Sequence, residues 1–396
     1  MNLTPEPDQQ LIQWIRSIRR HLHLYPELGN QEVQTAEFIE TKLTELEIPF
    51  KSGVAGTGII AKVGKKMQGA PGIALRADMD ALPITEATGL PFSSRNPGIM
   101  HACGHDGHVA MLLGAAALLR QHEVPGQIVL LFQPAEETEG GALRMIDQGA
   151  LDGVDAIFAG HIDLRYPVRE IAVEPGLISA YTDEFLIRIT GPGGHAAKPH
   201  ETVDSIVVAG QLVMALQTLV SREVDPSFPA VVTVGKINGG TASNVIASEV
   251  VLEGTIRTTR PEVREKIISG LERMVLAMGD LYHAQASVAF TQGYPPVINH
   301  PVAADIARQA ATLVVGDSGV RGVPQPSLGG EDFAYFLQKV PGCLVRFGAG
   351  IKNHGSGPAH SPNFDFDEGV LPVGAAFLAQ AALEAIRRID ELRGNK

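Results

Sequence analysis

From residue 58 to residue 161 the chain alternates short apolar runs with helix-like stretches, and the runs stop at polar, chemically active residues. Gly58 to Val63 and Ile73 to Arg76 read as buried strands, the second running out into Ala77-Asp78-Met79-Asp80-Ala81-Leu82-Pro83. Val109 to Gln121, rich in alanine and leucine, reads as a helix; Pro125-Gly126 is a turn, and Gln127 to Phe132 is a strand ending at Gln133-Pro134-Ala135-Glu136-Glu137. A helix around Ala142 to Gln148 follows, then a strand from Asp155 to Ala159 that stops at Gly160-His161. Apolar strands separated by helices have to be covered on both faces, so this pattern predicts an α/β fold with a mostly parallel sheet and helices on both sides. Functional groups in such sheets gather beyond the carboxyl ends of the strands. Asp78, Asp80, Glu136, Glu137 and His161 all stand at such ends.

Just before the alanine-rich helix lies Met100-His101-Ala102-Cys103-Gly104-His105-Asp106-Gly107-His108, a thiol, imidazoles and a carboxylate in one short stretch. Soft and borderline donors packed this closely suit a transition metal. Cys103 and His105 are two apart, so in an extended loop they point to the same side and can share one site. Glu136 and Glu137 are adjacent and diverge: one can bind metal while the other faces substrate and takes the proton of a water whose pKa the ion has lowered. His161 and His360, each next to glycine or in a loop with proline, are the natural distant ligands. With a thiolate able to bridge, this donor set suits two ions better than one. His101 and His108 read as residues that orient the loop, and Asp106 as a helix cap. His21, His23, His122, His200, His283, His300 and His354 read as structural or exposed.

The chain has 396 residues, more than one ordinary core holds. Its middle changes character. Tyr181 to Thr190, Ala230 to Ile237, Val250 to Thr258 and Ala284 to Thr291 read as strands, with helices at Val203 to Arg222 and Pro261 to Gly279. The order β-α-β-β-α-β is that of a ferredoxin-like split unit, which predicts an inserted α+β domain at 179–292 between two parts of one domain, 1–178 and 293–396. After His300 the alternation resumes, with a helix to about Val314, a short one at Glu331 to Gln338, a strand at Leu344 to Phe347 and a final helix from about Gly369 to Leu392.

A net charge of −12 argues against nucleic acid or an anionic membrane surface and favours a small molecule. No apolar run reaches the roughly 18 residues of a membrane span, and Met1 to Pro7 lacks the features of a secretory signal, so the expected place is the cytoplasm. Both cysteines, Cys103 and Cys343, are expected reduced, the second as a packing residue.

Seven segments then carry a resemblance: Arg19 to Leu28, Arg76 to Pro83, His101 to His108, Gln133 to Glu137, Gly193-Gly194-His195-Ala196-Ala197, Gly329-Gly330-Glu331-Asp332-Phe333 and His360-Ser361-Pro362-Asn363-Phe364. In this order they resemble the amidohydrolase branch of the M20 metallopeptidase family, with its aminoacylases, hippurate hydrolases, N-acetyl-diaminopimelate deacetylases and auxin-conjugate hydrolases. The resemblance implies a zinc-exopeptidase-like catalytic domain with an inserted lid, and hydrolysis of N-acyl amino acids. It implies two divalent ions per subunit, zinc or manganese first and cobalt or nickel next, on Cys103, His105, Glu137, His161 and His360. Glu136 matches the general base, and Asp78 and Asp80 match acids that hold the ligands in place. His195 matches a lid histidine that reaches the oxyanion, often from a neighbouring subunit, while Asn244 and Arg257 match contacts to the substrate carboxylate. A homodimer or homotetramer through the lid is implied as well. Three other readings stay open: a dipeptidase or carboxypeptidase on the same site, a hydrolase with Cys103 as nucleophile, and a binding protein that keeps a metal-supported pocket without turnover.

Overall fold

The structure is a computed structural model that describes residues 7–64, 69–138, 140–351 and 356–394. His354 lies outside them. The chain divides into two compact units: Met1–Ile178 with Val297–Pro324 and Asp332–Lys396, and Ser179–Pro296 with Gln325–Glu331. The second unit thus runs four residues past the expected border at 292 and takes in a short distant stretch that the sequence places with the first domain.

In the first unit, α1 (Gln9–Leu24) starts at Asp8, whose side chain accepts the Leu11 amide at 2.8 Å, and buries Ile15, Ile18 and Leu22. After α2 (Val33–Glu45) come β1 (Phe50–Val54), β2 (Gly58–Gly64) and β3 (Gly72–Asp78). The strand β1 was not expected: Lys51 and Ser52 interrupt its apolar pattern because it is the exposed edge, paired on one side only. Helix α3 (His105–Arg120) is buried from His105 to Leu119, having no polar face to give to water. Then follow β4 (Gln127–Gln133), a helix at Gly141–Asp147 and β5 (Ala156–Pro167).

The sheet runs β1-β2-β4-β3-β5, then Gly342–Gly350, Ile171–Ala172 and Val320–Arg321. Its centre, from β4 through β3 and β5 to Gly342–Gly350, is parallel, and antiparallel pairs join it at both flanks. Every residue of β3 is buried. Asp78 pairs with Gln133 and Arg76 with Ala159, so the carboxyl ends of β3, β4 and β5 come out side by side. β5 is longer than expected: it continues along Gly342–Gly350, with Arg346 opposite His161, so His161 sits within the strand rather than beyond it.

Helices α3, Pro301–Val315 and Val370–Arg387 pack together on one face. The expected long C-terminal helix breaks at Arg388 and resumes as Ile389–Gly394, and the helix expected over Glu331 to Gln338 is reduced to Ala334–Leu337. Val370–Arg387 and Ser205–Glu223 are, against the sequence expectation, long and apolar enough to cross a membrane by length and composition. The first owes this to burial in the core.

The second unit is a four-stranded antiparallel sheet in the order Ala230–Gly239, Glu249–Thr258, Tyr181–Thr190, Gln285–Gln292. Helices Ser205–Thr218 and Pro261–Tyr282 pack against it through Val208, Leu212, Leu216, Ile267, Leu271 and Val275. Chain order and strand order together are those of the split β-α-β unit.

Candidate metal centre

Gly104, at φ 95°, makes the left-handed turn between Cys103 and His105 and opens α3. The ring of His105 is then fixed from behind: its Nδ1 lies 2.9 Å from the main-chain oxygen of Asp80 and 3.2 Å from the Asp80 carboxylate. The other carboxylate oxygen of Asp80 accepts the Glu137 amide at 2.9 Å. One aspartate therefore sets both an imidazole and the neighbouring acid. With Nδ1 turned to Asp80, Nε2 of His105 is the atom left over, buried and without a hydrogen-bond partner. Leaving such an atom unmet costs about 1–3 kcal/mol, and a cation is the partner that a buried lone pair can take.

His161 repeats the arrangement. Its Nδ1 donates to the Ile162 oxygen at 2.7 Å, which leaves Nε2 facing Cys103 Sγ at 3.4 Å. His360 comes from a loop, at φ 65°, and its amide donates to the Ala102 oxygen at 2.8 Å, one residue before Cys103. Its Nε2 stands 3.1 Å from Glu137 Oε1. The donor atoms of Cys103, His105 and His161 lie within 4.8 Å of one another, and so do those of Cys103, Glu137 and His360. Cys103 belongs to both triads.

Charges differ from donor to donor. Against its burial, the Asp78 charge and the bonds to Asp80 and Cys103 raise the pKa of His105, so an ion there would displace a proton. Burial and the Glu137 charge push the Cys103 thiol up to about 12, and a bound divalent ion reverses that, since a coordinating thiol is deprotonated outright. Burial, with His108 and Arg346 nearby, lowers the pKa of His161 and keeps it neutral, as a ligand must be. Glu137 stays ionised despite burial because His360 bonds to it.

Glu136 follows Ala135, a non-glycine residue at φ 53° whose amide is held at 2.9 Å by the buried Glu32, itself bonded to the Thr57 hydroxyl at 2.7 Å. That turn separates Glu136, 6% exposed, from Glu137. Glu136 Oε1 lies 3.4 Å from the Asp332 amide.

Asp78 has little freedom. His108 Nδ1 lies 2.5 Å from one of its oxygens and Arg76 Nη1 2.6 Å from the other. Burial opposes its charge, yet His105, Arg76 and His108 keep its carboxyl well below the ordinary range. His108 Nε2 accepts the Ile162 amide at 2.9 Å, so both its nitrogens are engaged. His101 is buried with neither nitrogen bonded, and burial lowers it to about 4. Asp106, expected as a cap, is inside the first turn instead and bonds to Arg19 and His23.

Sequence reasoning passed over Arg76, Gln133 and Asp332. Arg76 reaches Gln133 at 2.8 Å and Asp332 at 2.9 Å, and Asp332 also accepts the Ala142 amide at 3.0 Å. The signal available was a lone arginine inside an otherwise apolar strand, which needs a buried acid somewhere.

The second unit holds the other expected residues. His195 pairs with Val245 across a two-stranded ribbon, Asn244 O accepts the Ala196 amide at 3.1 Å, and His195 Nδ1 accepts the Ala197 amide at 3.1 Å, leaving Nε2 free to donate. Both residues are exposed. Arg257 lies on the four-stranded sheet, where it donates to the Ile256 oxygen at 3.0 Å.

A family model described as peptidase family M20/M25/M40 matches residues 74–384. The N-acetyl-L-cysteine deacetylase of Bacillus subtilis is 43% identical over 97% of this chain and 90% of its own length. Thermostable carboxypeptidase 1 of Saccharolobus solfataricus is 40% identical over 95% of each chain. The crystal structure of the Bacillus subtilis YXEP protein, described as a dinuclear metal binding peptidase from the M20 family, superposes with a TM-score of 0.83 at 36% identity, covering 96% of this chain and 99% of that one.

Proposed function

The chain belongs to peptidase family M20/M25/M40, and from this premise we propose that it hydrolyses N-acyl amino acids to a carboxylic acid and an amino acid. It is a metal-dependent enzyme acting on amides. The observation that supports the finer reading is the pair of triads sharing Cys103, with Glu136 beside them. We assign Cys103, His105 and His161 to one ion and Cys103, Glu137 and His360 to a second. Zinc or manganese suits this mixed donor set first, cobalt or nickel next.

Bound there, divalent ions supply Lewis acidity and a lowered water pKa. Glu136 takes the proton of the attacking water as the new C–O bond forms, then delivers it to the amine nitrogen as the C–N bond breaks. Asp80 holds His105 and Glu137 in place throughout. Our assignment gives His195 the tetrahedral oxyanion, through its free Nε2, and Asn244 and Arg257 the substrate carboxylate, for which a guanidinium fork is well shaped.

Glu136→Gln is expected to keep its metal and lose about 10²- to 10⁴-fold in turnover, while Glu137→Ala loses metal; metal content and kcat on N-acetyl, N-benzoyl and dipeptide substrates check both. Full turnover by Glu136→Gln overturns the mechanism. Activity that survives chelation points instead to Cys103 as nucleophile. A carboxypeptidase reading is favoured by the 40% identity to a protein of that name, and dipeptide cleavage ahead of N-acetyl substrates would select it.

We further infer a homo-oligomer built through the second unit. Ser205–Thr218 carries no charged residue, yet Ile206, Val207 and Met214 are exposed on it, and the sheet edge Ala230–Gly239 exposes Val231 and Ile237. The expected setting is the cytoplasm, where Cys103 and Cys343, both free, stay reduced.

A further inference from the structure

Behind the metal loop lies a set of buried charges that the reaction above leaves unused. Asp106, one residue after His105, is fully buried. Its Oδ1 accepts the Gly107 amide at 2.9 Å, and its Oδ2 lies 3.1 Å from Arg19 Nε and 2.8 Å from His23 Nδ1. Arg19 extends its other arms to Asp365 at 2.9 Å and Glu368 at 3.3 Å. Arg19 also lies over the Phe92 ring, 4.8 Å from its centroid, but its hydrogen bonds end at this cluster, and those of His23 do not.

The second nitrogen of His23 stands 3.4 Å from Oε1 of Glu86, in the loop that leaves β3. Glu86 also takes the Thr88 hydroxyl, and its Oε2 accepts the Ser94 amide at 2.6 Å. One carboxylate thus closes the loop across itself, and Leu82 and Met100 pair at its base. From the same loop the Ala87 amide donates to the Pro362 oxygen at 2.8 Å, two residues beyond His360.

An imidazole that faces a carboxylate at each nitrogen satisfies both only as the cation, with a proton on each side. Burial works against that cation, but the bonds to Asp106 and Glu86 outweigh it and raise the pKa of His23. Although its burial opposes ionisation, the His23 bond, with the Ser94 amide and the Thr88 hydroxyl, holds Glu86 down to about 2. His23 is therefore a two-ended donor. One end grips the turn that carries His105, and the other grips the loop that is tied to the segment carrying His360.

We propose that His23 is a positioning residue for the metal centre, joining the Asp106 turn and the 83–99 loop through a single doubly bonded imidazole. The part of this inference that concerns metal rests on the assignment of the two triads; the part that concerns the loop does not.

Two amides separate the ends, because asparagine places its NH₂ near the position of Nδ1 and glutamine near that of Nε2. His23→Asn keeps the bond to Asp106 and loses Glu86; His23→Gln does the reverse. Metal-stripped protein is titrated with Co²⁺ by calorimetry, and amide exchange is followed across residues 86–96. His23→Gln is expected to bind Co²⁺ about 10- to 100-fold more weakly with wild-type exchange in the loop. His23→Asn is expected to speed exchange at Ala87 and Ser94 by about tenfold or more, and Glu86→Gln, on the loop side, should repeat that result. A purely structural histidine would lower the unfolding midpoint and leave affinity and local exchange as they were, and that outcome overturns the proposal. Wild-type protein that binds no Co²⁺ defeats the triad assignment instead, while the exchange arm still decides the loop half.

Discussion

Asp80 is the residue on which most of the donor geometry converges. Its main-chain oxygen and one carboxylate oxygen face His105, and its other carboxylate oxygen accepts the Glu137 amide. Removing the side chain leaves His105 held by the main-chain oxygen alone and the Glu137 amide unmet. Asp80→Ala is expected to weaken metal binding about 10- to 100-fold while Glu136 keeps its place. Calorimetric titration of the stripped variant measures this, and unchanged affinity would show that the main-chain oxygen alone suffices. At this scale the sequence was legible where chemistry is dense. Cys103 and His105 stand two apart, and Glu136 and Glu137 follow a strand directly, so residue type and spacing were enough to single them out. Arg76, His23 and Asp106 were harder. Arg76 was passed over, His23 was read as structural or exposed and Asp106 as a cap, because the partners that define them lie 256, 63 and 87 residues away, at Asp332, Glu86 and Arg19. Spacing along the chain carries no information about such pairs.

Among the elements, α3 does the most to place the site, because it begins at His105 and is buried along nearly its whole length. Its first turn has no slack. A methyl group at Gly107 would lie 2.7 Å from both Ile162 Cδ1 and Phe366 Cζ. Gly107→Ala should therefore destabilise the protein by about 1–3 kcal/mol, read from urea unfolding, although alanine is the better helix former. A stabilised variant would mean that this end of α3 yields easily. The strands were read from their apolar runs with good placement in the centre of the sheet and poorer placement at its margins. β1 was missed because an edge strand shows polar residues to water, and β5 was cut short because the polar composition of Asp163 to Arg165 hides a continuing ladder with Gly342–Gly350. Hydrophobic pattern reports burial, and both stretches are paired without being buried on both faces.

For the whole molecule, the two compact units carry different kinds of residue. The first holds the donors and Glu136; the second holds His195, Asn244 and Arg257 and the uncharged, exposed face of Ser205–Thr218. If that face is covered by a second copy, Met214→Glu, at a side chain 70% exposed, should drive the protein toward monomer with little loss of unfolding stability. Light scattering after size exclusion decides it, and an unchanged mass places the interface elsewhere. The middle segment was set apart in the sequence because its order of strands and helices differs from what flanks it. The transfer of Gln325–Glu331 to the second unit was not readable, since a short polar loop shows no preference for either core.

The fastening of the donors from behind has a consequence for how the protein meets its metal. His105 and His161 are held by their second ring nitrogens, and Glu137 and His360 by their main-chain amides, all by groups of the protein itself. Each of these donors is thus fixed at a second point of the chain. A substitution behind a donor therefore alters how firmly the centre holds an ion while leaving the donor atoms themselves unchanged.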